Sequence, residues 1–180
     1  DSNVWQVLSR QTTYDFPHFL RLEKQSVRLP TGRAVYDYHR LDMPEYCVVC
    51  PLTMDQKVVT LRGYRHGVGW VTSFLPGGLI DTAESPIDAA KRELLEETGY
   101  AAGSFVSMGS FIPNVNYGCG RTHVFKATEV TRTRDPDAGD LETMDVEVVD
   151  VKTIVTWIQS GRVQSLSTTA AVALALGGIF

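Results

Sequence analysis

Cysteine is scarce in this sequence: three residues, Cys47, Cys50 and Cys119. So sparse and odd a set excludes the disulfide framework of a small secreted domain. Cys47 and Cys50 have a C-x-x-C spacing, but they lie in an apolar run that reads as a buried strand. Residues three apart in a strand point to opposite faces, and no second pair of zinc ligands stands nearby. Both read as small buried hydrophobes. Long apolar runs are missing too. The alanine-rich stretch 170–176 falls well short of the roughly eighteen residues of a membrane span. Basic blocks are absent: 17 Lys and Arg stand against 21 Asp and Glu, a formal charge of −4. That pattern argues against a nucleic-acid surface. There is no internal repeat, no low-complexity tract and no visible signal peptide. These absences predict a soluble cytoplasmic protein with neither nucleic-acid nor membrane partners. The mild acidic excess is compatible with a phosphate-bearing substrate, because a bound metal inverts the local field.

The 180 residues suit one domain with a small addition. Residues 1–45 read as a small antiparallel unit, with strands at 4–8, 18–29 and 34–41 and a turn at 30–33. Three strands bury too little surface to stand alone, so this unit must dock on something. Residues 46–180 read as the main domain, of the α/β class. Strands are expected at 46–52, 57–62 and 70–75, with a glycine-punctuated loop at 63–69. A helix follows, then strands at 105–111, 122–127 and 145–151, and helices at 151–159 and 167–176. A polar loop spans 132–143.

The chemistry is densest between Gly78 and Tyr100. Ser85 suits a helix N-cap, Pro86 the first helical position and Asp88 the third, where its carboxylate reaches back as in a capping box. Gly99 suits the position just past the end. Ile87, Ala90, Leu94 and Thr98 would form the buried stripe. Glu93, Glu96 and Glu97 follow Arg92, and residues three and four apart share one helical face. Like charges there cost some tenths of a kcal/mol per pair, so a helix needed only as scaffold would not cluster them. Hard divalent cations take carboxylate oxygens and bridge them to substrate phosphates. The helix therefore reads as a metal site.

Gly78, Glu84, Arg92-Glu93, Leu94, Glu96-Glu97, Gly99 and Tyr100 together resemble the signature of the Nudix hydrolases, with every fixed position filled. The resemblance implies a Nudix α/β/α sandwich, here with the N-terminal antiparallel sheet added. It also implies Mg²⁺-dependent hydrolysis of a nucleoside diphosphate linked to another group, with Mn²⁺ as an alternative ion. By resemblance, Glu93 and Glu97 are the principal metal ligands, with Glu96 a further ligand directly or through water. The Gly77 carbonyl completes the set. Arg92 would orient the glutamates by ion pairing, and Glu84 would support them.

The flanks extend the likeness. Trp5, the segment 27–33, Gly63-Tyr64-Arg65 and Leu75-Pro76-Gly77-Gly78 are similar to the ADP-ribose pyrophosphatase branch. That branch implies conversion of ADP-ribose to AMP and ribose 5-phosphate. It also implies a homodimer whose N-terminal sheet reaches across to hold the adenine. Arg65 would contact the diphosphate, and Pro113 would be a substrate-side marker, although residues 114–120 depart from the branch's serine- and acid-bearing pattern. Glu142 would be the catalytic base, alongside Glu96 and Arg92 in the catalytic group. It opens Glu142-Thr143-Met144-Asp145-Val146-Glu147-Val148, similar to a Glu-x-Glu-x-apolar-Glu-apolar pattern in which Met144 replaces the second acid. Either Glu142 then works alone, or Asp140 or Asp145 substitutes. His66, His123, Tyr14, Phe16, Phe19, Tyr36 and Tyr38 are weaker candidates for substrate contact. The alternatives are GDP-mannose, ADP-glucose or a dinucleotide as substrate, a nucleotide-sugar-sensing regulator, or a catalytically idle binding module. The intact glutamates argue against the last two.

Overall fold

The structure is a computed structural model that describes residues 3–137, 139 and 143–177. Its first three strands are β1 (Gln6–Phe16), β2 (Leu20–Arg28) and β3 (Ala34–Asp42), antiparallel and adjacent in that order. β1 is far longer than its sequence suggests. Every one of its residues is exposed, so it lacks the alternation of buried apolar positions that marks a strand.

The chain continues through β4 (Tyr46–Leu52), β5 (Lys57–Arg65), β6 (Trp70–Phe74), α1 (Pro86–Thr98), β7 (Tyr100–Ala101) and β8 (Ser104–Phe111). It then forms β9 (Thr122–Thr128), β10 (Thr131–Arg132), β11 (Met144–Asp150), α2 (Val151–Gln159) and α3 (Leu166–Leu176). The main sheet runs β11-β5-β4-β9-β8, with β6 hydrogen-bonded to β5. β4 pairs parallel with β9. It is buried from Cys47 to Leu52, as a continuous apolar run in a covered central strand should be.

Alternation along β4 builds the two cores. Cys47 and Val49 pack with Ala89, Ala90 and Leu94 of α1. Val48 and Cys50 pack with Ile154 of α2 and with Ala171 and Val172 of α3. The sheet is thus covered on both faces, which is the α/β/α sandwich the signature implies. Among the described residues, no helix is long and apolar enough to cross a membrane.

Three expectations need correction. The residues before Tyr46 form one compact unit, but it also takes in Ile112–Arg121, so the second unit is not unbroken over 46–180. The tie is physical: the Leu41 amide donates to the Tyr117 carbonyl at 2.7 Å, and the Tyr38 hydroxyl donates to the Asn116 carbonyl. β5 runs on to Arg65, which pairs with Trp70, so the loop expected over 63–69 shrinks to 66–69. Ile87 is exposed, and the buried positions of α1 are Ala89, Ala90, Leu94, Glu97 and Thr98. The two-residue pair β7–β10 carries no pattern long enough to read from sequence.

Candidate active site

The glutamates are aimed by a helix with defined ends. The Ser85 hydroxyl oxygen accepts from the Asp88 amide at 3.2 Å and donates to the Asp88 carboxylate at 2.6 Å. At the other end Gly99 takes φ 75°, a left-handed conformation that glycine adopts without steric cost, and its amide donates to the Leu95 carbonyl. The register leaves Glu97 only 6 % exposed. A buried carboxylate demands partners, and Glu97 Oε2 accepts from the Gly77 amide at 2.8 Å.

The loop 76–78 is pinned to β4. The Val49 amide donates to the Pro76 carbonyl and the Cys47 amide to the Gly78 carbonyl, each at 2.9 Å. The Gly77 carbonyl lies between these two tethered carbonyls, on the residue whose own amide meets Glu97. Both glycines are needed for close approach. A Cβ on Gly77 would overlap the Cys47 carbonyl, and one on Gly78 would overlap the Glu93 carboxylate. Glu93 and Glu97 thus converge on adjacent residues of one loop.

Arg92 ties the remaining acids together. Its Nε and Nη2 donate to Glu84 Oε1 and Oε2 at 2.9 and 3.0 Å. Nη1 donates to Glu93 Oε1 at 2.7 Å and to Glu96 Oε2 at 3.2 Å, and Nη2 also reaches the Leu79 carbonyl at 3.0 Å. These hydrogen bonds hold the Glu84 carboxyl below the usual carboxylate range, with the Asp81 amide adding to the effect. The same bonds, those to Glu84 foremost, raise the affinity of Arg92 for its proton. By contrast, burial pushes the Cys47 thiol up to about 11 and Cys50 up to about 12. Neither is a thiolate at neutral pH, in keeping with their place in the two cores.

Among the described residues, no three His, Cys, Asp or Glu side chains are already grouped as a metal cage. The donor set nonetheless fits a hard divalent cation. Three carboxylates rise from one turn beside a backbone carbonyl, all oxygen ligands. Where Glu93 and Glu96 meet, the Arg92 guanidinium supplies the compensating positive charge.

Next to this loop lies a cleft of about 240 Å³, lined by Tyr46, Val48, Arg65, Phe74, Gly77 and Thr168 among others. The Arg65 guanidinium lies over the Phe74 ring, 3.8 Å from its centroid, and Nη2 donates to Met144 Sδ at 3.5 Å. Thr168 ties the cleft wall to α3, its Oγ1 accepting from the Leu75 amide at 3.2 Å.

Gly77, Arg92, Glu93, Glu96, Glu97 and Arg65 therefore all lie in the second unit. Pro113 lies in the segment that belongs to the first unit. Glu142 and its alternative Asp140 fall outside the described residues. Asp145 opposes Arg62 across the β11–β5 pair, its carboxylate 3.9 Å from the guanidinium and mostly exposed. It alternates with Met144, so it faces away from Arg65. The Tyr64 hydroxyl contacts His66 Nδ1 at 3.4 Å. Tyr14, Phe16, Phe19 and Tyr36 are exposed, and Tyr38 packs edge-on against Trp5. Sequence reasoning missed the supports of Arg65. The available signal was Gly63, a glycine inside a strand, which marks close approach by a neighbour.

A family model described as the NUDIX domain matches residues 43–167, and the chain belongs to the Nudix family. Among curated proteins, it is 27 % identical over 152 residues to an ADP-ribose pyrophosphatase of Bacillus subtilis, covering 82 % of this chain and 80 % of that one. It is 24 % identical over 154 residues to a methanol dehydrogenase activator of Bacillus methanolicus, covering 85 % and 83 %. Among solved structures, one described as an ADP compounds hydrolase superposes with a TM-score of 0.83 at 18 % identity, covering 96 % of this chain and 92 % of that one. At that identity the last likeness establishes the fold.

Proposed function

We propose that the protein hydrolyses the diphosphate bond of a nucleoside diphosphate sugar, converting ADP-ribose to AMP and ribose 5-phosphate with Mg²⁺. The observation that carries this reading is the convergence of Glu93 and Glu97 on the Gly77–Gly78 loop, beside a cleft that contains Arg65. The choice of ADP-ribose is supported by the Bacillus subtilis relative, which matches along most of both chains.

Glu93, Glu97, Glu96 and the Gly77 carbonyl would hold the ion. When bound, Mg²⁺ supplies charge neutralisation at the phosphoryl oxygens and helps to activate water. The chain's own residues do the rest. Arg92 fixes the orientations of Glu93 and Glu96 through Nη1 and braces itself on Glu84. Arg65 offers a planar guanidinium matched to diphosphate oxygens. Glu142 would take the proton from the attacking water. A homodimer is part of the same reading. β1 is an exposed edge strand, and Trp5, Val7, Tyr14 and Phe16 lie open on the same unit, a surface that asks for a partner.

The test is chromatography of products from ADP-ribose, GDP-mannose and ADP-glucose with Mg²⁺. AMP from ADP-ribose is expected. Rapid cleavage of another sugar nucleotide with none of ADP-ribose would sink the substrate assignment. Glu97→Gln should lower turnover by about 10²-fold or more while leaving the circular dichroism spectrum unchanged. Undiminished turnover would sink the metal assignment. Sedimentation that finds only monomer at micromolar protein would sink the dimer.

A further inference from the structure

The cleft opens where the main sheet divides. β5 meets β4 at the Leu52–Val58 pair and β6 from Leu61 to Arg65. The two strands that part there line the cleft, β4 with Val48 and β6 with Phe74. Ser165, Ser167 and Thr168, at the start of α3, complete the lining. Among the described residues Arg65 is the one charged side chain in it.

The hydroxyls at the start of α3 have hydrogens to spare. A serine or threonine hydroxyl donates once and accepts up to twice. The Ser165 and Ser167 oxygens lie 2.8 Å apart, and Ser165 Oγ also accepts from the Thr168 amide. Two hydroxyls bring two hydrogens, and the bond between them uses one. Thr168 Oγ1 accepts from the Leu75 amide, which occupies a lone pair and leaves its hydrogen. Among the described residues neither remaining hydrogen meets a protein acceptor. Thr168 is 1 % exposed, and a buried donor without an acceptor carries a desolvation cost that a ligand oxygen removes. Uncharged donors beside the apolar side chains of Val48, Val68 and Leu75 suit a neutral group rich in acceptors. A nucleobase would want an open aromatic face, and the Phe74 ring is already covered by the Arg65 guanidinium. A sugar fits: its hydroxyl and ring oxygens accept, and its C–H faces lie against the apolar wall.

We propose that Ser167 and Thr168 are specificity-determining residues that donate to oxygens of the terminal sugar, the half of the substrate beyond the diphosphate, with the Ser165 hydrogen spanning the gap to Ser167. The inference rests on reading the cleft as the substrate site.

The experiment measures, in the full chain with Mg²⁺, the KM and kcat for ADP-ribose and the inhibition constant of ADP, which has the diphosphate and lacks the terminal sugar. Ser167→Ala should raise KM about fivefold, the loss of one neutral hydrogen bond, with kcat moving less than about threefold. The inhibition constant of ADP should move less than about twofold. Thr168→Val should show the same contrast, and Thr168→Ser, which keeps the hydroxyl, should bring KM back to within about twofold of wild type. Equal weakening of ADP-ribose and ADP would put the hydroxyls on the diphosphate and overturn the proposal. An unchanged KM in Ser167→Ala would overturn it too. That arm does not depend on the Thr168 variants folding, because Ser167 Oγ bonds to Ser165 Oγ and not to a backbone group. Where the wild type cleaves GDP-mannose or ADP-glucose in place of ADP-ribose, the same contrast is read with that nucleotide and its free nucleoside diphosphate. The sugar assignment is then decided although the choice of ADP-ribose fails. Cleavage of none of the three would sink the proposed function and this inference together.

Discussion

Helices α1 and α3 cover opposite faces of β4 and are closed at their N-termini in the same way. Ser85 accepts from the Asp88 amide and Ser165 from the Thr168 amide, each at 3.2 Å. Each is followed by a glycine, Gly99 or Gly177. Between the caps they differ in kind. α3 is LSTTAAVALAL, without a charged residue, and buries Thr168, Ala171, Val172 and Ala175. α1 carries Asp88, Lys91, Arg92, Glu93, Glu96 and Glu97, and buries one of those charges. α3 is a packing helix whose polar groups serve its own ends and the Leu75 amide. In α1 the packing stripe is narrow, and the rest of the surface is an ionic network that a scaffold does not need. The contrast separates what makes a helix from what makes a site: the caps fix where each helix begins and ends, and the uncapped face decides what it does.

The largest effect should come from breaking that network at its hub. Arg92→Ala leaves Glu84, Glu93 and Glu96 without their common cation. Loss of one partner from a part-buried ion cluster should cost about 2 kcal/mol of stability and about 10²-fold in kcat/KM. Thermal unfolding and steady-state kinetics check the two numbers. The pH dependence adds a sign. Glu84 has its carboxyl held down in the folded state, chiefly by Arg92. Its contribution is therefore present above the unfolded carboxylate value and is lost as pH falls through the folded one. The stability gap between wild type and Arg92→Ala should be full at neutral pH and should narrow below about pH 4. A variant that loses stability but keeps its rate would make α1 a scaffold helix after all, no different in kind from α3.

Gly78→Ala should have a smaller effect, confined to function. The added methyl overlaps the Glu93 carboxylate, the far end of a flexible side chain, and not backbone. The carboxylate must move, so activity should fall about tenfold. Stability should change by less than about 1 kcal/mol. Kinetics at saturating Mg²⁺, alongside a melting curve, separates the two. An unchanged rate would show that the position of Glu93 against the loop does not matter to the reaction.

How much of this was legible in the sequence depended on how local the cause was. Ser85, Pro86 and Gly99 announce the borders of α1 because capping is a contact between near neighbours, and the spacing of Glu93, Glu96 and Glu97 puts them on one turn without any tertiary information. The apolar run from Cys47 to Leu52 announces a covered strand for the same reason. Ile87 misled because apolar spacing does not fix the edge of a helical stripe, and the sheet took Ala89 instead. β1 was legible only at its start because its residues face solvent throughout. The supports of Arg65 were out of reach, since Phe74 and Met144 lie nine and seventy-nine residues away along the chain. They meet only through the β5–β6 and β5–β11 pairings. Gly63 was the one residue that hinted at the meeting, and a glycine alone does not say what approaches it.

The smallest effect is also the cleanest comparison of the two helices. Ser85→Ala and Ser165→Ala each remove one N-cap acceptor of the same geometry, so each should cost about 1 kcal/mol of stability. Their melting temperatures should fall by similar amounts. Their rates should not behave alike. Ser85 fixes the turn that leads from Gly78 and Glu84 into the glutamate helix, so fraying there loosens Arg92 and the acids it holds. Ser165 lines the cleft and fixes α3, whose Thr168 also lines it and accepts from the Leu75 amide, but that helix carries none of the acids that Arg92 holds. Ser85→Ala should therefore lower kcat by about threefold to tenfold and Ser165→Ala by less than about twofold. Equal losses of rate would mean that the cap of α1 acts on the reaction only through global stability, and that the glutamates are aimed by the glycine loop and β4 instead of by the start of their own helix.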